Sequence, residues 1–229
     1  MTIQRSAPPV RSERVLPDWA EPASPYVPGQ MTPLVATLAV RERYRDEYWR
    51  TRDPIVADRL YWRAQTFRHT VHLLPGQTIL EIGAGAGMFT ERLLKITAGE
   101  NSITAVTFQP AMIRSGQGHR SVENLTLAEL PGILSGRTFD CVIAMDLLDA
   151  HDAPEFLQIV HSLLKPGGEM VCYESNPWNP VHRLRRGASN LFGRKDPRRL
   201  MSRPRLYEQL SEIGFIRVYA VYNDFVFAP

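Results

Sequence analysis

The sequence predicts an α/β fold, a mostly parallel sheet with helices on both faces, preceded by a helical segment. Three observations lead there. Between Thr78 and Gly214, short apolar runs of strand length alternate with amphipathic stretches of helix length. A glycine-rich turn, "EIGAGAG" from Glu81 to Gly87, separates the first run from the first helix of that series. Pro75-Gly76 and Pro166-Gly167-Gly168 punctuate the units. At 229 residues, 44% hydrophobic and 22% charged, the chain has the length and composition of one good-sized globular domain with extra segments.

Taken in order, residues 1–30 are rich in proline and poor in periodic apolar positions, which predicts an extended or disordered arm. Residues 31–73 read as a helical segment: Val35–Arg50, then Asp53–Leu73, with Pro54 suited to a first turn and Leu60, Phe67, Val71 and Leu74 at near-helical spacing. The sheet domain occupies 74–229. Its strands are predicted at Thr78–Ile82, Ser102–Phe108, Leu125–Leu127 (weakly), Asp140–Met145 and Met170–Tyr173. Phe89, Leu93 and Leu94 stripe the helix after the glycines, and Pro110 opens another carrying Met112 and Ile113. Asp152 with Glu155 forms a capping-box pattern ahead of Phe156, Val160, Leu163 and Leu164. A last helix runs from Pro204 to Gly214 with Leu206, Leu210 and Ile213 inward, and Phe215–Tyr222 closes as a strand. Only Phe225–Ala228 remain for a very short further strand.

The net charge of +3 hides an asymmetry. His182–Arg205 holds nine Lys/Arg against Asp196, a balance of +8 that leaves −5 for the remainder. No apolar run approaches the ~20 residues of a membrane helix, and the arginines near the start are not followed by a signal-like apolar stretch, so a cytoplasmic location is expected. Cys141 and Cys172 lie in predicted strands and read as buried reduced thiols.

The glycine turn carries the chemistry. Glycine lets the backbone and a helix N-terminus approach a small ligand closely. Dinucleotide sites prefer G-x-G-x-x-G, but here the sixth position is Met88. Glu81 at the strand end would repel a pyrophosphate and suits a cationic ligand.

With these parts in order, Leu73–Gly214 resembles the class I S-adenosylmethionine-dependent methyltransferases of small-molecule type. "ILEIGAGAGMF" resembles their glycine turn with its acid, "FDCVIAMDLL" their fourth strand, "LLKPGG" the turn before strand five, and "SEIGF" the end of the last helix. The resemblance implies a Rossmann-like sheet with S-adenosylmethionine lying across the carboxyl ends of strands one, two and four. Gly83, Gly85 and Gly87 would then approach the cofactor, with Glu81 facing its cationic end. Phe108, Met112, Leu127 and Ala128 would surround the purine, Glu129 would meet its amino group, and Met145 would end strand four against the ligand. The chain departs from the pattern at Thr107, where the family usually places a ribose-binding acid. A hydroxyl there, even with Gln109 nearby, implies cofactor binding weaker by about 1–2 kcal/mol. That loss keeps a degenerate, non-catalytic binding or partner subunit open as the alternative function.

For catalysis, His151 is the expected base, since an imidazole titrates near neutrality, with Asp149 and Asp146 near it in sequence. The stretch "ESNPWNPVHRLRR" resembles the substrate loop of small-molecule methyltransferases from natural-product or glycan pathways, which assigns Asn176, Trp178 and Arg183 to the acceptor. The two N-terminal helices are expected to form a helical lid over the acceptor pocket. It would contribute Tyr44, bonding the cofactor carboxylate, together with Tyr48 and Trp49; a homodimer interface from the same helices is the competing expectation. The basic segment 175–203 suits an acidic or phosphorylated acceptor. Nucleic acid is disfavoured: no Asn or Asp is followed by Pro-Pro-Tyr/Trp, and Phe192 alone interleaves the basic run. The acids around His151 imply no metal, having no second cluster to complete a site.

Overall fold

The computed structural model describes residues 31–49, 54–109, 119–175, 199–216 and 218. The N-terminal arm, the helix expected from Pro110, the loop from Asn176 to Arg198 and nearly all of the closing strand lie outside the described residues. Two N-terminal helices, α1 (Pro33–Trp49) and α2 (Pro54–Thr70), precede the sheet. Then follow β1 (Thr78–Ile82), α3 (Met88–Thr97), β2 (Ser102–Thr107), β3 (Val122–Thr126), β4 (Phe139–Met145), α4 (Ala153–Leu163), β5 (Leu164–Tyr173) and α5 (Arg203–Ile213).

The five strands are all parallel, in the order β3-β2-β1-β4-β5. The chain therefore leaves β1 toward β2 on one side and returns to β4 on the other, which opens a crevice at the carboxyl ends of β1, β2 and β4. Buried parallel strands need apolar residues on both faces. Leu80, Ile82, Val106, Val142 and Ala144 join one core with α4 and the first half of α1. Their neighbours Ile79, Ile103, Cys141, Ile143 and Met145 join the other with α2 and α3. Burying each large side chain such as Phe67, Phe89 or Phe156 contributes about 1.5–3 kcal/mol.

α2 packs into the sheet core through Leu60, Ala64 and Phe67. β5 begins before Pro166, because Leu164 pairs with Phe139 and an irregularity follows. Gly168 sits there with the carbonyls of Lys165, Asp140 and Phe139 so near that a Cβ would approach them within 2.9–3.1 Å. At the start of α4, Asp152 makes no side-chain cap bond. Its carboxylate takes both terminal nitrogens of Arg41 (2.8 and 2.5 Å) and the Thr37 hydroxyl (3.1 Å), tying α4 to α1. Gly214 ends α5 in the left-handed conformation and donates to the Leu210 and Ser211 carbonyls.

Candidate active site

β1 delivers Glu81 and the glycine turn to the crevice. Gly83, Gly85 and Gly87 all have positive φ, and Gly87 is the N-cap of α3. The turn is held to β2 by Ala84 N–H donating to the Val106 carbonyl at 2.6 Å. Its outer surface is lined by α1. Leu34, Val35, Leu38 and Ala39 anchor the first half of that helix in the core. At the same spacing the stripe continues as Arg41, Glu42, Arg45 and Asp46, all buried although charged.

These charges converge on the turn. Glu42 Oε1 accepts from Gly85 N–H (3.0 Å), and Oε2 accepts from the Thr107 hydroxyl (2.9 Å) and Phe108 N–H (3.1 Å). Asp46 Oδ2 accepts from Ala86 N–H (2.8 Å). Arg45 donates to Asp46 Oδ1 (2.8 Å) and the Met145 carbonyl (3.1 Å) while lying over the Trp49 ring, 4.3 Å from its centre. Glu81 accepts from the Thr90 hydroxyl at 2.7 Å. Burial pushes both Glu42 and Glu81 up to about 7, outweighing the Arg45 guanidinium and the hydroxyls of Thr107 and Thr90 that favour the ionised forms. Three carboxylates against one guanidinium make this end of the sheet a poor place for a phosphate and a suitable one for a cation.

The loop after β4 forms the neighbouring wall. Leu147 lies over Gly83, where an added Cβ would meet its Cδ1 at 2.6 Å. Asp146, at positive φ, accepts from the Ser175 hydroxyl (3.0 Å) and stands 4.0 Å from Arg63. Asp149 is buried and accepts the backbone N–H of His151 (2.8 Å) and of Arg199 (2.5 Å), so its carboxylate shapes the loop through amides, not through the imidazole. The His151 side chain is exposed.

Of the other residues expected at the site, Thr107, Phe108 and Met145 are buried at the strand ends, and the Ala128 carbonyl accepts Thr32 N–H at 3.0 Å just ahead of α1. Glu129 is exposed, beside Gly132. Tyr44 and Tyr48 are half-buried on α1, while Trp49 is buried beneath Arg45. Met112, Asn176, Trp178 and Arg183 lie outside the described residues. Glu42, Arg45 and Asp46 were not anticipated. The signal for them was present in the apolar stripe of α1 that continues in register as charged residues.

Burial pushes the Cys141 thiol up to about 12 and raises that of Cys172 well above its ordinary range. Among the described residues, no cluster of His, Cys, Asp or Glu could hold a metal ion, and no helix is long and apolar enough to cross a membrane.

Residues 80–170 match a family described as a methyltransferase domain. A ubiquinone biosynthesis O-methyltransferase of Xanthomonas campestris is 32% identical over 112 residues, covering 42% of each chain. A demethylmenaquinone methyltransferase of Corynebacterium urealyticum is 34% identical over 118 residues, covering 51% of this chain and 49% of its own length. The chain thus spans about half the length, or less, of the curated relatives it matches. Among solved structures, a mycolic acid cyclopropane synthase complexed with SAH superposes with a TM-score of 0.57 at 18% identity, covering 81% of this chain and 76% of that one.

Proposed function

We propose that the chain is a class I S-adenosylmethionine-dependent methyltransferase and that it transfers a methyl group from that cofactor to a hydroxyl on a small-molecule acceptor. One observation carries the choice of ligand: the glycine turn at the carboxyl end of β1 follows directly on the buried acid Glu81. That donor and charge set fits a sulfonium-bearing nucleoside. Bound there, S-adenosylmethionine supplies a methyl group on positively charged sulfur. Glu81 at the end of β1 would offset that charge, and the glycine turn would admit the ligand backbone-close. His151, exposed on the β4–α4 loop, would take the acceptor's hydroxyl proton, so that the oxygen attacks the methyl carbon as the carbon–sulfur bond breaks and its electron pair stays on sulfur. Alignment of the two reactants can supply much of the rate.

The matched relatives are named for ubiquinone and demethylmenaquinone methylation. They support a ring-bearing acceptor of quinone-precursor kind as the working choice, ahead of the natural-product or glycan metabolites expected from the Asn-Pro loop. An acidic acceptor and a homodimer stay part of the proposal through the basic run and the N-terminal helices. A second reading, a degenerate fold that serves as a binding or partner subunit without transfer, is favoured by Thr107 at the tip of β2, where a hydroxyl replaces the expected acid. Incubating the full chain with S-adenosylmethionine and a panel of hydroxylated quinone precursors, read by mass spectrometry, tests both. Methylated product supports transfer, whereas no product, with or without cofactor binding, sinks transfer and supports the second reading.

A further inference from the structure

The backbone donors that line a ligand crevice at the carboxyl ends of β1 and β2 are already engaged. Gly85, Ala86 and Phe108 N–H and the Thr107 hydroxyl all donate to Glu42 or Asp46 of α1. Glu42 is 0% and Asp46 1% exposed, and a side chain added at Gly85 would overlap the Asp46 carboxylate. No ligand can reach the Gly85 and Ala86 amides while those carboxylates accept from them.

We propose that α1 is an intramolecular occupant of the cofactor crevice, and that S-adenosylmethionine binds by lifting the Glu42–Asp46 half of this helix off the glycine turn. The proposal rests on reading that crevice as the cofactor site. Three features of the helix support it. Its two halves are fastened differently: Leu34, Val35 and Leu38 are packed in the core, whereas Arg41, Glu42, Arg45 and Asp46 hold by charge and hydrogen bonds, with Trp49 as the apolar anchor at the far end. Buried charge contacts return to water far more readily than apolar ones, because desolvation offsets most of their attraction. Asp152, bridging Arg41 and Thr37, fixes the helix at the boundary between the halves and so defines where it can bend. Finally, beyond the effect of burial, Asp46 and Glu42 both disfavour the ionised form of Glu81, so the closed arrangement carries a charge conflict that a cationic ligand relieves.

Occupancy of the site by its own helix lowers apparent affinity by the fraction of molecules that are open. Removing the two carboxylates therefore makes binding tighter, opposite to the effect of removing a true cofactor contact. The test is hydrogen–deuterium exchange and calorimetry on the full chain with S-adenosylhomocysteine. On binding, amides 41–49 of the wild type are expected to lose protection by at least fivefold while those of 34–39 keep theirs. The Glu42→Ala/Asp46→Ala variant is expected to bind at least fivefold tighter than wild type. Bound wild type that keeps or gains protection at 41–49 overturns the proposal, as does weaker or equal binding by the variant, which would make Glu42 a cofactor ligand. If the variant does not fold, the wild-type exchange pattern alone decides. Absence of binding by both proteins would instead overturn the cofactor reading itself.

Discussion

The two ends of the sheet treat carboxylates in opposite ways. At the amino end, Asp140 Oδ2 on β4 receives Thr78 N–H (2.8 Å), the Thr78 hydroxyl (2.7 Å) and the Lys165 ammonium (2.7 Å). Partial burial works against ionisation there, but those donors overcome it and hold Asp140 at about 2. At the carboxyl end, Glu42 and Glu81 also accept hydrogen bonds, yet burial wins and both stand near 7. The difference lies in solvent and in neighbours. Asp140 and Lys165 keep 24% and 39% of their side chains exposed, whereas Glu42, Asp46 and Glu81 share one guanidinium in the dry interior. One end uses charge to fasten strands; the other gathers acids that accept buried amides but outnumber their cation.

The pH dependence follows with opposite signs. Asp140, with its folded value below the ordinary one, adds stability at pH above about 4, and that contribution is lost as pH falls toward 2. Glu42 and Glu81, raised from 4.5 to about 7, favour the protonated folded chain, so stability declines as pH rises from about 4.5 to about 7.

Substitutions at each end sharpen the contrast. The largest effect is expected for Gly85→Val, which puts a β-branched residue at φ +54 against Asp46. Urea denaturation should show a loss of about 2–4 kcal/mol, and calorimetry should find no S-adenosylhomocysteine binding. Thr107→Asp comes next. From sequence it should restore a ribose-binding acid, but here it sets a second carboxylate against Glu42, 2.9 Å from the present hydroxyl. The expected cost is about 2–3 kcal/mol at pH 8 and less at pH 5.5, where the pair retains a proton; an equal cost at both pH values would show that Glu42 is not at that strand tip. Glu81→Gln should flatten the decline in stability between pH 4.5 and 7 and raise stability at pH 8 by about 1–2 kcal/mol. It should also weaken S-adenosylmethionine more than the uncharged S-adenosylhomocysteine, and equal losses would remove Glu81 from the sulfonium's field. Asp140→Asn should cost only about 1 kcal/mol at pH 7, since its partners are partly solvated, and leave S-adenosylhomocysteine affinity unchanged. A change in affinity would mean that the two ends are coupled.

Much of the fold was legible because its signals are local. Strand-length apolar runs, Gly87 at the start of α3 and Gly214 at the end of α5 depend on neighbours in sequence, and β1, β2, β4 and α4 lie within one or two residues of their expected bounds. Asp152 shows the limit. Its spacing to Glu155 is that of a capping pair, but Arg41, 111 residues away, offers a stronger partner than an amide. The tyrosines of α1 drew attention as aromatic candidates, whereas the buried stripe of that helix passes through Arg41, Glu42, Arg45 and Asp46.

By itself the sequence determined the parallel α/β architecture, the place of the glycine turn and the acid beside it, since periodicity, glycine and a strand-end residue act through the chain's immediate neighbourhood. The tertiary structure alone decided which acids surround the turn. Glu42 and Asp46 precede Gly85 by about forty residues and meet it only because α1 runs across the ends of β1 and β2, where buried N–H groups must find acceptors.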